Sequence, residues 1–175
     1  NERIVFQSNR SGTFQIYSMH PDGSGLQRLT QDNAADVGPV LSPEGTRIAF
    51  VSNRDGADQV YLMDADGGRP HRLTHRAGAE VDPVWSPDGT RIYFRKEIGA
   101  RRTALCVAAV ADGEIRQLTD GSVRYLAPAV SPDGKIILCT SGPEIWALDA
   151  DGGNPRRIAR IDGTMAAYPR WSPDG

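Results

Sequence analysis

Trp85-Ser86-Pro87-Asp88-Gly89 recurs three times along the chain, as Leu41-Ser42-Pro43-Glu44-Gly45, Val130-Ser131-Pro132-Asp133-Gly134 and Trp171-Ser172-Pro173-Asp174-Gly175. The serines stand at 42, 86, 131 and 172, so the intervals are 44, 45 and 41 residues. A period in the range of roughly 20–50 residues marks a repeat architecture. The local chemistry says what is repeated. Proline brings the φ of a type I turn, serine offers a local hydrogen bond, and aspartate suits the third place. Glycine then takes φ > 0 without a Cβ clash. A type I turn followed by a left-handed residue closes a β-hairpin. Each copy therefore joins two antiparallel strands.

Outward from the turn, the next segment begins in phase. Ile4, Ile48, Ile92 and Ile137 are followed two places later by Phe6, Phe50, Phe94 and Cys139. Positions i and i+2 share one face of a strand, so these side chains face a core. The fourth copy has cysteine for phenylalanine and a one-residue deletion, which predicts looser packing there. A turn follows, Ser8-Asn9-Arg10-Ser11-Gly12 or Ser52-Asn53-Arg54-Asp55-Gly56, longer and more basic at Lys96–Arg102 and shorter at Thr140–Glu144. The third segment carries Ile16-Tyr17, Val60-Tyr61 and Ile145-Trp146. In the third copy its register is open between Cys106 and Val107. Asp-Gly turns come next, a hairpin signal. The last segment is short and basic, as in His71-Arg72-Leu73-Thr74, which suits an outermost strand that discourages edge pairing.

The segment before each Ser-Pro turn is the most apolar: Val37–Leu41, Val81–Trp85, Leu126–Val130 and Ala167–Trp171. Each contains a proline, tolerable where the N–H side lacks a partner. These are the expected innermost strands. Four units of four short strands, about 1–45, 46–89, 90–134 and 135–175, tile one array over 1–175. Strand spacing of roughly 8–12 residues and no sustained 3.6-residue apolar period suggest an all-β sandwich, barrel or propeller.

Composition sets bounds. The 175 residues suffice for one sizeable core, and 39% hydrophobic with 24% charged residues fits a globular protein. A net charge of −2 gives no electrostatic case for nucleic acid. No apolar run reaches the roughly 20 residues of a membrane helix. Cys106 and Cys139 are too few for a disulfide framework and are read as buried hydrophobes. The chain begins at Asn1 without a methionine, as a processed or trimmed piece would.

The pattern Pro-x-Trp-Ser-Pro-Asp-Gly, Arg-Ile-x-Phe, Ser-Asn-Arg-x-Gly, x-Tyr-x-Met-Asp-x-Asp-Gly-Gly and Arg-x-Leu-Thr resembles the TolB-type propeller repeat, nearly throughout in the second copy. The resemblance implies an all-β propeller built of four-stranded antiparallel blades. Its members include the TolB component of the Tol–Pal envelope system, propeller domains of tricorn- and prolyl-oligopeptidase-like peptidases, secreted binding proteins and some sugar-acid lyases. It implies a periplasmic or extracellular bacterial setting. Rings of this family usually have six to eight blades, so four repeats leave three readings: a segment of a longer propeller, a homodimer completing an eight-bladed ring, or a four-bladed monomer. A self-assembling fragment with no ligand is a further alternative.

No catalytic constellation can be assembled. A calcium loop counted from Asp64 has Arg69 at position six and His75 at twelve; counted from Asp149 it has Asn154 and Arg160. Both fail the glycine and glutamate requirements. His71 and His75 are four apart but on strand and loop, so no metal is assigned, and no cofactor. There is no nucleophile elbow, phosphate loop or His-Glu-x-x-His. The innermost strands carry no histidine, which argues against a metal-dependent lyase. What remains is a non-enzymatic module for a protein or peptide partner, with the propeller domain of a longer prolyl-oligopeptidase- or tricorn-like peptidase as the alternative. Binding residues sit on variable loops over a rigid scaffold. Here those loops are 31–36, 75–80, 120–125 and 160–166. The candidates are Arg10, Arg54, His75, Arg76, Glu80, Asp82, Arg124, Tyr125 and Tyr168, with Arg54 and Tyr125 expected as exposed anchors.

Overall fold

In the computed structural model, which describes residues 2–75 and 78–175, the Ser-Pro turn works as its chemistry requires. The glycine N–H donates to the serine carbonyl, Gly45 to Ser42, Gly89 to Ser86, Gly134 to Ser131 and Gly175 to Ser172, at 2.8–3.1 Å. In the first three copies the serine hydroxyl accepts the N–H five residues on, from Arg47, Arg91 and Ile136. The glycines that end these three turns have φ near +70°. The serine is 3% exposed in each of the three. The turn is thus stitched from inside.

Among the described residues the turns connect fifteen strands in four sheets. Blade 1 has β1 (Ile4–Ser11), β2 (Thr13–Met19) and β3 (Gln27–Arg28), in the order β1-β2-β3. Blade 2 has β4 (Asp36–Leu41), β5 (Arg47–Ser52), β6 (Gln59–Asp64) and β7 (His71–Arg72). Blade 3 has β8 (Glu80–Trp85), β9 (Arg91–Gly99), β10 (Arg102–Ala109) and β11 (Ile115–Gln117). Blade 4 has β12 (Leu126–Val130), β13 (Ile136–Ser141), β14 (Glu144–Asp149) and β15 (Arg156–Arg160). In each four-stranded sheet chain order is spatial order. The fold is all-β, built of propeller blades, with no helix among the described residues.

By compactness the chain divides into two units, 1–83 and 84–175. In the first, Ile16 and Leu29 of blade 1 pack with Ile48, Phe50, Tyr61 and Met63 of blade 2. In the second, Tyr93, Leu105 and Val107 of blade 3 pack with Ile137, Cys139 and Leu148 of blade 4. Each core thus lies between the faces of consecutive sheets. A second contact recurs beside it. The Asp-Gly-Gly turn of blade 2 brings Gly67 so close to Leu29 that a Cβ there would sit 2.8 Å from the Leu29 carbonyl oxygen. Gly152 of blade 4 meets Leu118 of blade 3 in the same way, at 2.4 Å. At φ of +92° and +91°, only glycine fits both demands.

The Leu-Thr ending of the outer strand has a function in the ladder. The hydroxyls of Thr30, Thr74 and Thr119 accept the N–H groups of Ile16, Val60 and Leu105 at about 3 Å. That bond replaces a strand partner, so β3 and β7 stop after two residues. Blade 4 has Ala159 at this place, and β15 runs on for five residues, pairing Ala159 with Ile145.

Three expectations are resolved. In the third copy Cys106 stands opposite Phe94, where Tyr17, Tyr61 and Trp146 stand opposite Phe6, Phe50 and Cys139. At Cys139, where looser packing is expected, the side chain is fully buried, and burial pushes its thiol up to about 12. The expected fourth innermost strand at Ala167–Trp171 forms no strand. It has no ladder partner among the described residues, and Trp171 instead donates its indole N–H to the Ala129 carbonyl at 3.1 Å.

Candidate functional site

The variable loops and the Ser-Asn-Arg turns occupy one end of the blades, as the ladder requires: Asp36 at the entry of β4 pairs with Ser52 at the exit of β5. Every innermost segment bends at the residue before its proline. Gly38, Asp82, Ala127 and Tyr168 all lie in the left-handed region, at φ of 60°, 57°, 48° and 49°. The ladders of β4 and β12 skip there. Such a backbone costs a non-glycine residue about 1–3 kcal/mol, and strain of this kind concentrates at functional sites.

Beneath the loops sit buried polar side chains that hold them. Gln15, 0% exposed, donates to the Ala34 carbonyl at 2.7 Å, and Gln59, 1% exposed, donates to the Gly78 carbonyl at 2.8 Å. Thr103 donates to the Tyr125 carbonyl at 3.3 Å. Buried polar groups of this kind are worth most when fully paired. Gln15 and Gln59 stand 44 apart, so the period already marked them, but an uncharged amide in a strand drew no notice beside arginines.

Arg54 belongs to the same support. Its Nε donates to Ser52 Oγ at 2.9 Å, and its guanidinium lies 5.5 Å from the Phe50 ring centre and 4.8 Å from that of Tyr61. It donates to both carboxylate oxygens of Asp36 at 3.1 Å and pairs with Asp32 at 2.8 Å. Asn53 accepts the Ala35 N–H through its side-chain oxygen at 3.0 Å. Ser-Asn-Arg is a fastener for loop 31–36. The Tyr61 hydroxyl donates to Asp55; burial, then that bond, push its pKa up to about 12.

The remaining candidates divide by exposure. Tyr125 is 4% exposed, in the blade 3–blade 4 core, edge-on to Trp146 at 5.9 Å. It is not the exposed anchor expected, because its ring packs into the cluster that holds Cys139 and Trp146. Glu80 is 0% exposed, at the place of Asp36. Arg10 is exposed on β1, Asp82 is half-buried on β8, and His75 and Arg124 are exposed on their loops. Tyr168 is 73% exposed. Arg76 lies outside the described residues. The loop end of the first unit thus presents Arg10, His75 and Asp82, and that of the second Arg124 and Tyr168. A cleft of about 270 Å³ lies beside Arg54, lined by Thr30, Gln31, Asp32, Gly67 and Pro70. No cluster of three or more metal-ligating side chains occurs among the described residues.

The family model of the TolB β-propeller domain matches residues 1–175. The chain belongs to this family. Over 44 residues it is 52% identical to a TolB homolog of Chlorobium luteolum, a match covering 25% of this chain and 10% of that protein. A TolB structure from Agrobacterium tumefaciens superposes with a TM-score of 0.85 at 26% identity, over 99% of this chain and 67% of the other. TolB from Acinetobacter baumannii gives 0.81 at 21% identity, over 97% of this chain and 43% of the other. An oligogalacturonate lyase in complex with manganese gives 0.72 at 18% identity, over 89% of this chain and 44% of the other, a likeness of fold. The chain thus spans a small part of the curated relative and about two thirds and less than half of the two TolB structures.

Proposed function

We propose that this TolB-family chain is a non-enzymatic binding module for a protein or peptide, in a periplasmic or extracellular setting. The observation that carries the reading is the construction of the loop end. In the unit 1–83 Gln15, Gln59 and Arg54 anchor the loops, with Arg10 and His75 exposed at that end, and in the unit 84–175 Thr103 anchors the loop that carries exposed Arg124. Rigid support beneath exposed polar and arginine side chains lowers the ordering cost of association. Family membership supports a protein partner.

The resemblance to the Tol–Pal component makes the soluble Pal domain the first probe. Calorimetric titration should give saturable binding. Arg124→Ala with Tyr168→Ala should weaken it about thirty-fold, the effect of losing one strong anchor. The melting temperature should stay within about 2 °C, since exposed substitutions change stability by less than about 0.5 kcal/mol. Absence of binding at high concentration removes Pal, and equal loss of affinity and stability assigns both residues to the fold.

A further inference from the structure

We infer that the β9–β10 hairpin and the loop after β11 form one rigid basic platform, whose ligand is a protein segment bearing several carboxylates. The inference rests on the reading of the chain as a binding module and names the chemistry of the partner.

The platform begins with a departure from the repeat. β9 starts at Arg91, the place of Arg47 in β5, but runs for nine residues where β5 runs for six. Three further residues lengthen a strand by about 10 Å. The ladder with β10 then shifts: Arg102 stands opposite Gly99 and Thr103 opposite Glu97, so Ile98 has no opposite residue. A bulge of this kind re-aims a side chain. Ile98 lies against Gly121, where an added Cβ would come within 2.5 Å of Ile98 Cδ1. Gly121 is buried, with φ of +76°. Backbone and contact both require glycine there.

Hydrogen bonds fasten the rest of the loop. Arg102 donates from Nη2 to the Asp120 carbonyl at 2.9 Å and from Nε to the Gly121 carbonyl at 3.5 Å. At the other end Thr103 donates to the Tyr125 carbonyl at 3.3 Å, and the Tyr125 ring is buried between blades 3 and 4. Within the loop the Asp120 side chain accepts the Ser122 N–H at 2.8 Å. Loop 120–125 is thus tied to the hairpin at both ends. Arg101, next to Arg102, has a left-handed backbone at φ of 59°. In a non-glycine residue that conformation persists where its surroundings hold it, and it gathers at ligand sites.

Charge decides what such a platform takes. Residues 95–102 hold four cations and one acid, in a chain of net charge −2. Arg101, Arg102 and Arg124 are exposed. Among the described residues none of these three has a carboxylate within ion-pair distance. Arg54 and Arg157, by contrast, are matched by Asp36 and Glu144. The carbonyls that receive Arg102 are neutral, so they orient its guanidinium and leave its charge in place. Guanidinium groups take carboxylates through paired, directed hydrogen bonds. Nucleic acid asks for a longer run of cations and for exposed aromatics on which bases stack. The aromatic of this platform, Tyr125, is 4% exposed. An anionic membrane asks for an exposed apolar face beside the cations, whereas Ile98 is half-buried. A carboxylate-bearing protein segment needs neither.

The test uses the whole chain and fluorescein-labelled hexaglutamate, read by anisotropy. Binding should saturate below about 1 mM, and hexaglutamine should not bind. Arg101→Gly removes a charge and relieves the backbone, so it should weaken binding about ten-fold without lowering the melting temperature. Arg124→Glu should weaken it at least about ten-fold. Arg116→Glu, at an exposed arginine on β11, should change it less than about two-fold. Ile98→Ala keeps every charge and should weaken binding about three-fold by loosening the loop. No saturation with hexaglutamate overturns the acidic segment as ligand and leaves the binding-module reading to the Pal titration. Equal losses in Arg116→Glu and Arg124→Glu overturn the platform in favour of diffuse attraction. Tighter binding of hexathymidylate or of phosphatidylglycerol vesicles, lost in the same variants, overturns the protein segment as occupant. Unchanged affinity in Ile98→Ala overturns the part played by the fastened loop.

Discussion

In blade 2 the residue that leads into the inner strand is Asp36, and its carboxylate holds Arg54 above the Phe50–Tyr61 pair. In blade 4 the same place is Tyr125, whose ring lies edge-on to Trp146 beside Cys139. Four positions change together between the two corners: Asp36 to Tyr125, Phe50 to Cys139, Tyr61 to Trp146 and Arg54 to Pro143. In blade 2 an aromatic on the second strand is capped by a cation that a buried acid holds. In blade 4 the second strand is small, and the aromatic arrives from the incoming loop. The repeat preserves a filled corner, not a residue. Blade 3 keeps Phe94 and the acid, as Glu80, but has Ile98 where Arg54 stands.

The largest effect that breaks the comparison is expected at Tyr125. Tyr125→Ala removes a buried ring that nothing else can replace, at a cost of about 3–5 kcal/mol. Tyr168→Ala should change stability by less than about 0.5 kcal/mol. Urea midpoints measure both. A tolerated Tyr125→Ala would mean that the blade 4 corner is not closed by its ring.

Next comes the polar corner. Arg54→Ala leaves the Asp36 carboxylate, 0% exposed, without its cation, at about 3 kcal/mol. Asp36→Asn with Arg54→Gln should cost less than the sum of the two single variants by at least about 1 kcal/mol, because the two groups share one interaction. Additive losses in a double-mutant cycle would remove the clasp.

The fold was legible because its signals are local and periodic. Ser-Pro-Asp-Gly dictates a turn wherever it stands, and Ile-x-Phe dictates a strand face. The site was legible only in outline. Arg54 and Tyr125 looked like anchors because their loops are variable and polar, but the role of each is set by a residue distant in sequence, Asp36 for one and Cys139 for the other. Gln15 and Gln59 escaped for the converse reason, since their carbonyl partners at Ala34 and Gly78 leave no mark on side-chain identity. The pre-proline bend was partly visible at Gly38 and hidden at Asp82, Ala127 and Tyr168, residue types that do not favour the left-handed backbone they adopt.

The smallest expected effect sharpens the comparison at the opposite ends of the same blades. In blade 3 the Ser86 hydroxyl donates to Asp88 at 2.5 Å, and the Thr90 N–H and hydroxyl add two more bonds. Ser86 chiefly, then Thr90, hold the Asp88 carboxyl down at about 2, against an ordinary 3.8. Asp133 is lowered by the same arrangement, with Ser131 first. A carboxylate whose pKa falls on folding stabilises the fold above its unfolded value. That contribution is therefore complete above about pH 4 and fades as the pH drops towards 2. Because Asp88 is largely solvent-exposed, its contribution should stay below about 1 kcal/mol. In the blade 2 turn Glu44 is lowered first by its own backbone N–H, and the Ser42 hydroxyl makes no bond to it. Shortening the side chain should restore that bond. Glu44→Asp is expected to raise the melting temperature slightly at pH 6 and by less at pH 2, where protonation of the carboxylate removes the bond's advantage. An equal gain at both values would assign the effect to turn propensity and not to the carboxylate.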